Sequence, residues 1–106
     1  MFIAMNRFRI IKGEEPEFER IWAERDSQLT EVPGFVEFHL LRGPEAEDHI
    51  LYASHTSWET GKHFEDWTTS EAFRKAHAGA GARKDIYMGP PQFEGFEAVL
   101  SQSGGA

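Results

Sequence analysis

The chain contains no cysteine. That excludes a disulfide scaffold, a thiolate nucleophile and any cysteine-held metal or iron–sulfur cluster. Basic residues are scarce: 11 Lys and Arg stand against 18 Asp and Glu, giving a net charge of −7. Such a balance excludes the broad basic face that a nucleic-acid partner requires, though local arginines can still meet a small anionic ligand. No apolar run approaches membrane-spanning length, and Met1-Phe2-Ile3-Ala4-Met5-Asn6-Arg7 lacks the basic-then-apolar pattern of a secretory leader. A cytoplasmic protein with neither a membrane nor a nucleic-acid partner is expected. Nor is there a flavin or nicotinamide motif. No two of the five histidines stand at the i, i+4 spacing of a helical zinc site, so a metal cage built by protein alone is not expected.

What is present suits one domain. The 106 residues, 40% of them hydrophobic, suffice for a modest core and not for two. We place the domain at 1–100 and a poorly ordered polar tail at 101–106. Phe2 to Ile10 alternates as a strand does, with Phe2, Ala4, Asn6, Phe8 and Ile10 on one face. Asn6 is the odd member of that apolar face. A buried amide without a partner costs roughly 1–3 kcal/mol, so Asn6 is expected either to bond locally or to face a ligand cavity.

Glu14-Glu15-Pro16 opens a helix, with acids and an early proline in its first turn. Phe18, Ile21, Trp22, Arg25 and Leu29 follow as one stripe, predicting a helix that closes at Glu31-Val32-Pro33-Gly34. The apolar members are read as core, Trp22 as a packing residue. Arg25 either snorkels outward or reaches a carboxylate-bearing ligand. Phe35–Arg42 and His49–Thr56 are predicted as antiparallel strands around an acidic hairpin, and Gln92–Leu100 as the last strand.

Between them, Phe64 to His77 reads as two helical pieces broken at Thr68-Thr69-Ser70, with Thr68 and Glu71 at capping-box spacing. The break can turn Trp67 and His77 onto one cavity. His77 ends the second piece, ahead of the glycine- and alanine-rich run from Ala78 to Ala82, which is expected to form a lid over the pocket. A histidine there either complements the helix dipole or holds a metal whose other ligands come from a macrocycle.

The order βαββαβ predicts a ferredoxin-like α+β fold, one antiparallel sheet with helices on one face. The strands, however, carry apolar residues on both faces. Two helices cover one face, so a homodimer is expected, its two sheets packed into a closed barrel.

Asn6-Arg7, Phe64 through Trp67, and Ser70 through His77 resemble the haem-degrading monooxygenases of the IsdG type, within the antibiotic-biosynthesis-monooxygenase superfamily of dimeric α+β barrels. Gly34 through Pro44 and Leu51 through Thr56 are similar to the HmuQ/HmuD branch. The resemblance runs over the chain up to Leu100. Asn6, Trp67 and His77 match the family's functional triplet. By that resemblance His77 is the axial ligand of haem iron, Asn6 hydrogen-bonds on the distal side, and Trp67 presses on the porphyrin plane. Phe64 and Phe73 are taken as further haem contacts, and Arg25, with Arg74, Arg83 and Lys84, is a candidate for the propionates by its charge. Haem would be both substrate and cofactor, opened with O2 and electrons from an external reductant or reductase to a biliverdin-like product. The alternatives are a cofactor-free monooxygenase acting on a polycyclic aromatic, and a haem-binding trafficking protein without chemistry.

Overall fold

The computed structural model describes residues 1–25, 28–77 and 84–104. Four strands, β1 (Phe2–Ile11), β2 (Phe35–Glu45), β3 (His49–Trp58) and β4 (Gln92–Glu97), form one antiparallel sheet in the order β2-β3-β1-β4. Helix α1 (Glu15–Ala23) follows β1, while α2 (Gly61–Thr68) and α3 (Glu71–His77) follow β3. This is the expected ferredoxin-like α+β arrangement, with the second helix in two pieces.

Several boundaries differ from the sequence expectation. Helix α1 stops at Ala23, where the Glu24 N–H bonds back to Arg20 O, and Leu29 belongs instead to a separate 3₁₀ turn, Leu29–Glu31. Gln28, at φ 53°, enters that turn in the left-handed region. One helical stripe therefore becomes two elements, and Arg25 falls just beyond a helix end. Strand β4 ends at Glu97, leaving Val99 and Leu100 exposed. Strand β2 continues through Gly43-Pro44 to Glu45, its pairing with β3 shifted between Arg42 and Glu45.

The hinge between α2 and α3 is built by three successive hydroxyls. Thr68 donates to Glu65 O, Thr69 to Asp66 O and Ser70 to Trp67 O, at 2.7, 3.1 and 2.6 Å. Side chains that satisfy these carbonyls take the place of the next helical turn. Ser70 Oγ then accepts from Phe73 N at 3.2 Å, so Ser70, rather than Thr68, caps α3. Thr60 does the same for α2 through His63 N.

Register explains where the core lies. On the helix-covered face, Phe2 pairs with Trp58, Ala4 with Thr56, Asn6 with Ser54, Phe8 with Tyr52 and Ile10 with Ile50. Both central strands thus run large, small, small, large, large in step. The large residues seed two separate clusters. One gathers Phe8, Ile10, Phe18, Ile50, Tyr52 and Ile86; the other gathers Leu29, Trp58 and Trp67 with Phe2, Phe35, Phe64 and Phe73. Over the two rows of small residues the sheet and helices leave a gap.

The opposite face carries Ile3, Met5, Leu41, Leu51, Ala53 and Phe96, with His39, His55 and an Arg7–Glu94 ion pair among them. None of the described helices covers it. Leu41 is 41% and Phe96 46% exposed, so the two-faced apolar pattern read from the strands is present. No helix among the described residues is long and apolar enough to cross a membrane.

Candidate active site

The gap between the two clusters is a cavity of about 400 Å3. Its floor is the sheet: Ala4 and Asn6 from β1, Ser54 and Thr56 from β3, with Phe38 and Phe93 from the outer strands. Trp22, Arg25 and Leu29 wall it on one side, and Phe64, Trp67, Thr68 and Phe73 on the other. Rings flank the opening in two near-parallel pairs. Trp22 stacks on Phe38 with centroids 5.8 Å apart and planes 13° apart; Phe64 stacks on Phe93 at 5.6 Å and 4°. Such walls suit a flat, apolar ligand, and the volume lies within the usual range for small-molecule sites.

Trp67 is held from both sides. The Phe73 ring meets it edge-on at 4.8 Å and 83°, across the hinge, and Trp58 lies behind it at 5.5 Å. The hydroxyl break therefore brings Phe73 of α3 onto the same cavity as Trp67 of α2. Gly34 seats the helix that carries Trp67. At φ 81°, its bare Cα lies so close to α2 that an added Cβ would stand 2.2 Å from His63 Cγ.

Four polar groups of the floor and wall, Asn6, Ser54, Thr56 and Arg25, are uneven in their commitments. Thr56 Oγ1 is engaged: it accepts from Trp58 Nε1 at 2.9 Å and lies 3.5 Å from Ala4 O. Asn6 and Ser54 have no side-chain hydrogen bond among the described residues. Arg25 is the only charged residue among the described lining residues. Its guanidinium lies over the Trp22 ring, 3.9 Å from the centroid, with no carboxylate in ion-pair range among the described residues. Burial pushes its pKa below the ordinary arginine value, and burial pushes that of neighbouring Tyr87 up. Arg25 stays protonated all the same. A part-buried cation at the edge of an apolar slot, unpaired among the described residues, has the chemistry to meet an anionic group.

Of the residues singled out in the sequence, Asn6, Trp67, Phe64, Phe73 and Arg25 are thus brought to one cavity. His77 closes α3, four residues beyond Phe73; its side chain lies outside the described residues, as do Arg83, the side chain of Lys84 and the segment 78–83 on which the expectation of a lid falls. Arg74 is not part of the cavity: it pairs with Glu71 on the exposed side of α3. Trp22 is not merely core, because it forms a cavity wall. Ser54, Phe38 and Phe93 went unrecognised. Their signal was register: Ser54 and Phe93 flank Asn6 across the sheet, and Phe38 lies opposite Thr56, the partner of Ala4, which becomes readable only when the strands are aligned.

A ligand slot between a four-stranded antiparallel sheet and a hinged helix pair defines a ferredoxin-like α+β domain. The chain belongs to the antibiotic biosynthesis monooxygenase family, whose model matches residues 1–79. It is 32% identical over 102 residues to a mycobilin-producing heme oxygenase of Mycobacterium tuberculosis, covering 96% of this chain and 92% of that one. It is 36% identical over 83 residues to a staphylobilin-producing heme oxygenase of Staphylococcus haemolyticus, covering 73% of each. Among solved structures it matches the M. tuberculosis heme-degrader MhuD with two hemes bound in its active site. That match has a TM-score of 0.73 and 30% identity, over 97% of this chain and all of the other. The resemblance read from the sequence is borne out at the level of family and fold.

Proposed function

We propose that the protein is a haem-degrading monooxygenase, taking haem into this cavity and opening the ring with O2 and electrons from an external donor, with release of iron and a biliverdin-like tetrapyrrole. The observation that carries this is convergence. Five residues chosen from the sequence for haem contact line one apolar slot, with Arg25 the only charged residue among its described lining residues. The relatives named heme oxygenases support the same reading.

The residues fit the group. The paired aromatic walls take the flat macrocycle, and Arg25 takes a propionate. Trp67, fixed between Trp58 and Phe73, presents a rigid indole that leans on the ring and resists being displaced by it. Asn6, central on the floor, supplies a hydrogen bond to whatever polar atom lies above the ring. Position 77 shares a helix face with Phe73 by the i, i+4 spacing, and His77 is our choice for the axial ligand. Bound haem supplies the oxygen-activating iron, which none of the residues of this cysteine-free chain supplies alone. A homodimer, formed through the uncovered sheet face, is the expected working state.

One experiment tests the whole. Haem is added to the purified protein, followed by a reductant in air, while the Soret band and iron release to a chelator are followed. We expect a Soret shift on binding, then decay of the band with bilin absorption growing in. A shifted band that persists with reductant reduces the protein to a haem carrier. No shift at all overturns haem binding and leaves the cofactor-free reading.

A further inference from the structure

The cavity floor holds side by side two polar groups that are uncommitted among the described residues. Asn6 and Ser54 are direct cross-strand partners on the helix-covered face. Residues so placed have Cβ atoms about 4.5–5.5 Å apart, close enough for an amide and a hydroxyl to reach the same atom. Their row across the sheet runs Leu40, Ser54, Asn6, Phe93, so both are flanked by apolar residues. Ser54 is 9% exposed, and what surface remains to it opens on the cavity. Neither side chain has a hydrogen-bond partner among the described residues, while Thr56 one row away is engaged with Trp58. Polar groups in an apolar cavity seek partners, because leaving them unsatisfied is costly.

We propose that Ser54 is a second hydrogen-bonding residue of the site. Together with Asn6 it fixes where the oxygen co-substrate lies over the ring, and hence which edge of the macrocycle is oxidised. The chemistry of the pair differs from that of Asn6 alone. A carboxamide offers its donors and its acceptor at fixed places in one plane, whereas a hydroxyl rotates and can donate or accept as the ligand requires. Two anchors a cross-strand distance apart define a line on the sheet floor, and a small ligand held by both cannot swing about either one. Ser54 is therefore a specificity-determining residue, not one required for haem to enter. Arg25 and the aromatic walls do the work of capture; the Asn6–Ser54 pair does the work of aim.

This rests on the haem reading, and the test separates the two. Haem is bound to wild type, Ser54→Ala, Ser54→Cys and Ser54→Thr, and each complex is reduced under carbon monoxide, used as a probe of the polar floor. We expect haem affinity in Ser54→Ala to change by no more than about fivefold, as for one neutral hydrogen bond. Its C–O stretch should move to higher frequency as a donor is lost. In air with reductant, the ratio of ring-opened isomers, resolved by chromatography and mass spectrometry, should change. Ser54→Cys, close in volume but a weak hydrogen bonder, should behave as Ser54→Ala does, and Ser54→Thr should return both readouts toward wild type. If Ser54→Ala and Ser54→Cys bind haem with wild-type C–O frequency and isomer ratio, Ser54 has no such role although the haem reading stands. If wild type itself shows no Soret shift, both fall together.

Discussion

Trp58 and Trp67 lie 5.5 Å apart between ring centroids with planes inclined by 33°, and only Trp67 reaches the cavity. Trp58 is fully buried and fixed by its Nε1–H bond to Thr56 Oγ1. The cavity tryptophan is thus braced by a core tryptophan, which separates what each contributes.

If the Trp67 indole acts by bulk, Trp67→Phe should retain much of the haem-degrading rate. Trp67→Ala should bind haem yet degrade it slowly. Truncating so buried a ring also removes roughly 3–5 kcal/mol of stability, out of a total of about 5–15 kcal/mol for a domain of this kind. Melting temperature must therefore be followed beside rate. A folded, haem-loaded Trp67→Ala with the normal rate would falsify the distorting role.

For Arg25 the expected loss is in capture. Arg25→Ala should weaken haem binding roughly 10- to 100-fold in a Soret titration, the scale of one charge-assisted hydrogen bond. Arg25→Lys should recover only part, since an ammonium lacks the planar fork that stacks on Trp22. Unchanged affinity in Arg25→Ala would assign the propionates elsewhere.

His77→Ala is expected to abolish axial coordination and turnover while leaving the melting temperature nearly unchanged, because a residue at a helix end adds little to packing. An unaltered haem spectrum and rate in that variant would remove His77 from the mechanism.

The uncovered sheet face predicts the assembly state. Sedimentation or scattering should give about twice the 12.1 kDa chain mass. A charge placed at Leu41, such as Leu41→Glu, should shift the protein toward monomer. A wild-type chain that stays monomeric at micromolar concentration contradicts the burial argument.

Tyr52 sets an alkaline limit. Burial, then its hydrogen bond to the Glu19 carboxylate and the charge of that group, raise the phenol from 10.0 to about 12. The folded state holds this proton more tightly than the unfolded chain does. The resulting stabilisation is complete below pH 10.0 and is lost as pH rises toward about 12. Denaturation midpoints across that window should fall, and Tyr52→Phe should flatten the fall. Equal slopes for the two proteins would mean the Tyr52–Glu19 bond is not maintained in solution.

Much of this was legible in the sequence because it was local. Alternation gave the strands, three consecutive hydroxyls marked the hinge, and Asn6 stood out as a polar residue on an apolar face. What escaped was relational. The end of α1 at Ala23 was hidden because Leu29 continues the helical period from a different element. The cap passed to Ser70 because each of the three neighbouring hydroxyls takes a different carbonyl, and Ser70 Oγ, nearest to α3, also accepts from Phe73 N. Ser54 and Thr56 look like ordinary strand residues until register sets them opposite Asn6 and Ala4, and a cavity is a property of that alignment.

The division of the core into two clusters has a consequence for the life of the protein. With the slot empty, each cluster presents apolar side chains to a void. A flat ligand in the slot would join them into one continuous core. Occupancy and folding are then linked: at about 100 times Kd, a ligand adds about 2.7 kcal/mol to the stability of the form that binds it. An enzyme that destroys the ligand it has bound removes its own keystone with each turnover, so the protein would persist longest while its substrate is in supply.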